Sequence, residues 1–161
     1  KRLLGAPRVA STPGLTIRLA GLASRQIAPH IQSAVAKHPA LVSSRIERLS
    51  DSAQVMEISA AELVAVPRVE TLEDVRLIWL ALSLHRPVIT PSIGFIDRIA
   101  SSVGRAWIHQ CDGEITPADI DKALVTSRSL GPEDRPRLEG RELSTSHRQF
   151  ARVFEESRRR R

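Results

Sequence analysis

One cysteine, no tyrosine and only five aromatic residues, two Trp and three Phe, occur in the 161-residue chain. A lone cysteine cannot pair within its own chain, which excludes a disulfide-stapled secreted domain. So few rings argue against base-stacking platforms for nucleic acid and leave Leu, Ile, Val and Ala to build the core. Long apolar runs are missing too. The longest, Leu77 to Leu82, falls far short of the roughly 20 residues that cross a bilayer, so a transmembrane protein is excluded and a soluble chain expected. Acidic residues are absent from positions 1–46, which carry seven basic groups.

The charge that is present has a pattern. Residues 47–130 hold eight basic against twelve acidic groups, and residues 131–161 nine against six, so a basic head and a basic tail flank a mildly acidic middle. Arg accounts for 21 of the 24 basic residues. Its planar fork suits phosphate and carboxylate recognition, although a G+C-rich genome produces the same bias with no function attached. The chain starts at Lys1, which fits a processed product or an excised fragment, and the acid-free Lys1-Arg2-Leu3-Leu4 fits the remnant of an organelle-targeting region. An intracellular location, cytoplasmic or in an organellar matrix, is expected.

Hydrophobic periodicity divides the chain. Residues 1–13, with Gly5, Pro7 and Pro13, read as a flexible lead-in. Leu15, Ile17 and Leu19 alternate with Thr16, Arg18 and Ala20, as in a half-buried strand. Ile27, Ile31, Ala34 and Val35 then follow helical spacing from about Ser24, a candidate cap, to His38, with Pro39 as the stop. The runs 41–49 and 53–59, joined by Ser50-Asp51-Ser52, predict a β-hairpin. Thr71-x-x-Asp74 opens a helix with Leu72, Val75, Ile78, Trp79 and Leu82 on its stripe, expected to be the most buried helix, and residues 87–90 form a short edge strand between two prolines. A second helical pattern from Ser92 to about Gln110 carries Ile96, Ile99, Ala100, Val103 and Trp107. Asp112-Gly113 turns the chain, and Thr116-Pro117-Ala118-Asp119 starts a helix ended by Gly131-Pro132. The expected fold class is therefore α/β (α+β). A domain over residues 14–90 with a four-stranded antiparallel sheet and two helices precedes a helical hairpin at 92–130 and a mobile basic tail at 131–161.

The order strand, helix, strand, strand, helix, strand resembles the heavy-metal-associated domain, a ferredoxin-like βαββαβ module. The resemblance is carried by Gly21-Leu22-Ala23-Ser24-Arg25-Gln26-Ile27, by Ile31 and Ala34-Val35, by Pro39, and by Ile46, Leu49 and Val55. In that family the loop after the first strand carries Cys-x-x-Cys for a soft metal. Ser24 and Ile27 occupy those positions here, so the metal chemistry is not carried over. Further along, the segment Asp112 to Leu124 is similar to the helical lid of AAA+ ATPases. No Gly-x-x-x-x-Gly-Lys-Ser/Thr is present to cradle a triphosphate, so either the ATPase half lies elsewhere or the likeness is that of a well-capped helix.

Other constellations are weaker as chemistry. Residues 108–119 resemble an EF-hand loop with Gly113 at its sixth position, but Ile108 and Gln110 stand where the first ligands belong and Asp119 replaces the bidentate Glu. His109-x-Cys111-Asp112 lacks a second cluster to complete a tetrahedral metal site. Asp119 and Asp121 suit the field at a helix start, and Trp79 and Trp107 suit core packing. No catalytic residue, metal or cofactor follows from these patterns. Arg158, Arg159, Arg160 and Arg161 form the clearest polybasic feature, suited to nucleic acid phosphates or anionic lipid. Phe150, Val153 and Phe154, at i, i+3 and i+4, are expected to form a short amphipathic helix when a protein partner covers them. The function expected from sequence is a non-catalytic interaction module of a larger assembly that touches nucleic acid through its Arg-rich ends. The alternatives are a protein-binding regulatory domain derived from the heavy-metal-associated fold and a fragment of an AAA+ ATPase.

Overall fold

The structure, a computed structural model, describes residues 13–139. Strands and helices alternate throughout: β1 (Ile17–Ala20), α1 (Ala28–Lys37), β2 (Val42–Arg45), α2 (Asp51–Ser59), β3 (Val64–Ala65), α3 (Leu72–Ser83), β4 (Val88–Pro91), α4 (Gly94–Val103), β5 (Ile108–Cys111) and α5 (Pro117–Arg128). The fold is mixed α/β, and every strand pairing is parallel. β1 pairs with β2 in one two-stranded sheet, and β3-β4-β5 form a second sheet in that order. Parallel neighbours need a crossover, and α1, α3 and α4 supply one between each pair. The expected antiparallel βαββαβ sheet is thus corrected: β1 and β2 are direct parallel neighbours, residues 51–59 are a helix rather than the second hairpin strand, and residues 88–91 pair in a separate parallel sheet.

The correction turns on residues 50–59. Ser50-Asp51-Ser52 has turn chemistry, and the same short oxygens also cap helices. Here Ser50 accepts from the Ala53 N–H at 3.3 Å and starts α2, so the second arm of the predicted hairpin is a helix. Its β-branched residues, Val55 and Ile58, sit three apart, and only Ile58 is buried.

Both faces of the three-stranded sheet are covered. Val88 and Ile108 point to one face, where they join Ile78, Ala81 and Leu82 of α3 and Ile96, Ala100 and Val103 of α4 in the main core. Ile89 and Cys111 point to the other, against Ile115 and Ala123. A strand buried on both faces reads as a continuous apolar run rather than an alternation. That is why Val88-Ile89-Thr90 is the central strand and not the predicted edge; its two prolines lie just before it and at its last residue.

The helix expected to run to Gln110 ends at Val103. Gly104, at φ 109°, takes a backbone that favours glycine and terminates α4. Trp107 therefore packs in the main core from the residue before β5, and the predicted helical hairpin contains a strand. After α5 the chain stays on the body for as long as it is described. The Arg137 N–H donates to the Val103 carbonyl at 3.0 Å, Pro136 is buried, and Leu130 and Leu138 pack on the main core.

Candidate functional site

In open parallel sheets ligands bind outside the carboxyl ends of the strands, where helix starts gather. At that edge of the three-stranded sheet the central strand leads through Ser92-Ile93 into α4. Two of the helices that follow a strand begin with a closed cap. Thr71 and Asp74 form a reciprocal capping box on α3, and Thr116 and Asp119 form one on α5. The start of α4 is different: Ile93 occupies the cap position and offers no side-chain acceptor. The Ile93 carbonyl takes the N–H groups of Ile96 and Asp97, at 2.8 and 3.2 Å. Those of Gly94 and Phe95 remain, and a helix start holds no intrahelical partner for them. A side-chain carbon added at Gly94 would meet nothing within 4 Å, so the approach to these donors is open. α1 also lacks a side-chain cap, but its first turn spends one position on Pro29, which has no N–H.

The surrounding polar groups are tied to one another. The Ser92 N–H donates to the Cys111 carbonyl at 2.8 Å, locking the exit of β4 to the end of β5. The Ser92 hydroxyl donates to Gln110 Oε1 at 3.3 Å, Gln110 Nε2 to Asp97 Oδ1 at 3.4 Å, and Arg105 Nη1 to the same oxygen at 3.1 Å. Asp97 is thereby occupied and does not repel an anion freely. Two residues upstream of Ser92, the Thr90 hydroxyl is fully buried and lacks a hydrogen-bond partner among the described residues.

Residues singled out in the sequence fall into structural roles here. Burial, with Asp119 second, pushes the Cys111 thiol up from its ordinary value, and its single S–H is shared between the Thr90 and Gly113 carbonyls, at 3.5 and 3.7 Å. Cys111 is a buried core group without the electropositive, partly exposed surroundings that activate a thiol. Burial lowers His109, whose Nε2 lies 3.3 Å from the Ser127 hydroxyl. Ile108 and Gln110 are ladder residues of β5, and Asp119 Oδ2 accepts from the Thr116 N–H and hydroxyl at 2.9 and 2.6 Å. The segment that resembled an EF-hand loop is therefore a strand, a turn and a capping box. Among the described residues no three His, Cys, Asp or Glu side chains gather as metal ligands. Ser24 and Ile27, at the positions of the metal-binding cysteines, lie before and at the cap of α1, with Ile27 exposed. Arg158 to Arg161 and Phe150, Val153 and Phe154 lie outside the described residues.

A concavity of about 350 Å³ opens at the opposite, amino edge, lined by Glu62, His85, Arg86, Trp107, Asp134 and Arg135 among others. Its carboxylates are engaged, Glu62 by a bidentate Arg128 and Asp134 by the Gly131 N–H. Arg128 holds the Glu62 carboxyl below its ordinary range. The residues just before β4 and β5, Pro87 and Trp107, line this space, whereas helix starts gather at the carboxyl edge, which is the better candidate.

The open start of α4 was not legible as a site, because its signal is an absence: no Ser, Thr, Asp or Asn stands at position 93. No protein-family profile and no solved structure matches the chain. Two curated sequences from Xanthomonas campestris pv. campestris do, each named GDP-mannose:glycolipid 4-beta-D-mannosyltransferase. One is 30% identical over 141 residues and the other 27% over 140. Each alignment takes in 87% of this chain, which spans 40% of the length of either relative. These similarities overturn the expectation of a non-catalytic interaction module touching nucleic acid, and with it the regulatory-domain and ATPase-fragment alternatives and the heavy-metal-associated function: what the chain is similar to, over most of its length, is a pair of glycosyl-transferring enzymes.

Proposed function

We propose that this chain is part of a glycosyltransferase and holds the diphosphate of a GDP-sugar on the start of α4. The observation that carries the reading is the similarity, over 87% of the chain, to two enzymes named for mannosyl transfer from GDP-mannose to a glycolipid. The fold supports it. Parallel strands, crossover helices and a sheet covered on both faces fit a Rossmann-like, doubly wound arrangement better than a ferredoxin-like one.

In such a transfer the bond between the sugar's anomeric carbon and the β-phosphate oxygen breaks, and an acceptor hydroxyl oxygen bonds to that carbon, giving up its proton. Negative charge accumulates on the departing diphosphate. The Gly94 and Phe95 N–H groups and the positive end of the α4 dipole stabilise that charge, and being fixed by the β4–β5 ladder they need no reorganisation as it develops. The missing side chain at Gly94 lets a phosphate reach the backbone.

Titration calorimetry of the 161-residue chain with GDP, GMP and GDP-mannose tests this. GDP and GDP-mannose bind and GMP, which lacks the second phosphate, binds more weakly. Gly94→Val, whose side chain enters empty space and leaves the fold intact, weakens GDP by about tenfold or more, the loss of one or two charge-assisted hydrogen bonds. Absence of GDP binding to the folded wild-type chain overturns the reading.

A further inference from the structure

We infer that the carboxyl end of the β1–β2 sheet is a membrane-contacting surface that takes anionic lipid headgroups. The parallel register pairs Ala20 with Arg45, and the Gly21 N–H donates to the Arg45 carbonyl at 3.0 Å. The chain therefore leaves the two strands side by side, through Gly21-Leu22 and through Ile46-Glu47. α1 starts from the same end of β1, with Ile27 at its cap. Leu22 is 73% exposed, Ile27 53% and Ile46 38%. Single exposed apolar residues are ordinary on a soluble surface; here Leu22 and Ile46 leave paired strand ends and Ile27 stands at the start of the helix that follows β1, so three share one end of the sheet.

The charges on this rim select the cover. Arg25 and Arg48 are exposed, and among the described residues neither side chain has a hydrogen-bond or ion-pair partner. Arg45 is shared between Glu47, at 2.6 Å, and Glu57, at 3.6 Å, and Glu57 also pairs with Arg18, at 3.0 Å, so the two acids beside the rim are each matched by an arginine. Apolar side chains flanked by unpaired arginines match the boundary between acyl chains and anionic headgroups. The choice of a bilayer over another partner rests on the proposed function, since the relatives' acceptor is named as a glycolipid and an enzyme that uses one must meet the surface it sits in.

Co-sedimentation of the 161-residue chain with vesicles of phosphatidylcholine, alone or mixed with phosphatidylglycerol, tests the inference. The chain binds the anionic vesicles, and Leu22→Ser with Ile46→Ser lowers that binding about tenfold or more through lost apolar burial. Arg25→Gln with Arg48→Gln lowers it to a similar degree on anionic vesicles, at about fivefold per arginine, and leaves neutral ones unaffected. Equal binding to both vesicle types overturns the inference, as does undiminished binding of the serine variant, which would assign the contact to basic groups elsewhere. GDP titration of the same proteins separates the two readings. Wild type that binds GDP but no vesicle removes this inference alone, and wild type that binds vesicles but no GDP removes the proposed function alone.

Discussion

The Thr-x-x-Asp pair shows how much one side chain can fix. Asp119 accepts from the Thr116 hydroxyl and N–H, and these bonds, the side-chain one first, hold its carboxyl below the ordinary range; Asp74 is held in the same way by Thr71. A carboxyl depressed in the folded state contributes stability that is complete above its unfolded value, about 3.9, and fades as pH falls below it. Asp119→Asn is therefore expected to flatten the acid limb of a stability profile taken by urea melts from pH 7 to 2.5. Thr116→Ala, which loses the cap itself, costs about 1 kcal/mol at neutral pH. An Asn variant whose acid limb keeps the wild-type slope would show that Asp119 titrates alike in folded and unfolded chains. These two helix starts were readable from sequence because a cap is a local contract between residues three apart. Ser50-Asp51-Ser52 was misread for the same reason in reverse, since turns and caps use identical short oxygens and only the periodicity beyond them decides.

Helices show which apolar residues matter. On α3, Leu82 is fully buried and Leu72, ten residues earlier on the predicted stripe, is 87% exposed. Leu82→Ala should cost about 2–5 kcal/mol by transfer and cavity formation, whereas Leu72→Ala should stay within about 0.5 kcal/mol. Chemical denaturation of the two variants checks this, and equal costs would refute the placement of the stripe. The period of α3 was legible, but where the stripe loses its cover was not, because Leu72 sits in the first turn, beyond the reach of the sheet. Strand direction was equally hidden. Val42-Ser43-Ser44-Arg45 and Val88-Ile89-Thr90-Pro91 announce extended chain, yet nothing local distinguishes a parallel neighbour from an antiparallel one. β3 went unseen as two residues inside a connector, too short to carry a period.

Across the molecule, burial is uneven. The three-stranded sheet and the helices on its faces supply most of the fully buried side chains, while β1 and β2 contribute Val42 alone and α1 adds Ile31 and Ala34. Amide exchange should follow this division. The β4–β5 ladder, Val88–Pro91 against Ile108–Cys111, exchanges only through global unfolding, and the β1–β2 ladder opens earlier at lower free energy. Equal protection of the two ladders would contradict it. The candidate site stands on the more protected unit, as a preorganised anion cradle requires, and the exposed apolar rim stands on the less protected one.

β4 carries one more implication. Proline brackets it at positions 87 and 91, and Ile89 sits between them opposite Ala65. Sliding the strand by two residues in either direction would bring a ring without an amide hydrogen to the place where Ile89 now faces β3, and sliding it by one would exchange Val88 and Ile89 between the two cores and put the Thr90 hydroxyl on the main one. Two imino acids thus disfavour the two-residue slips of the central strand, and with them a change in the height at which Gly94 emerges above the sheet.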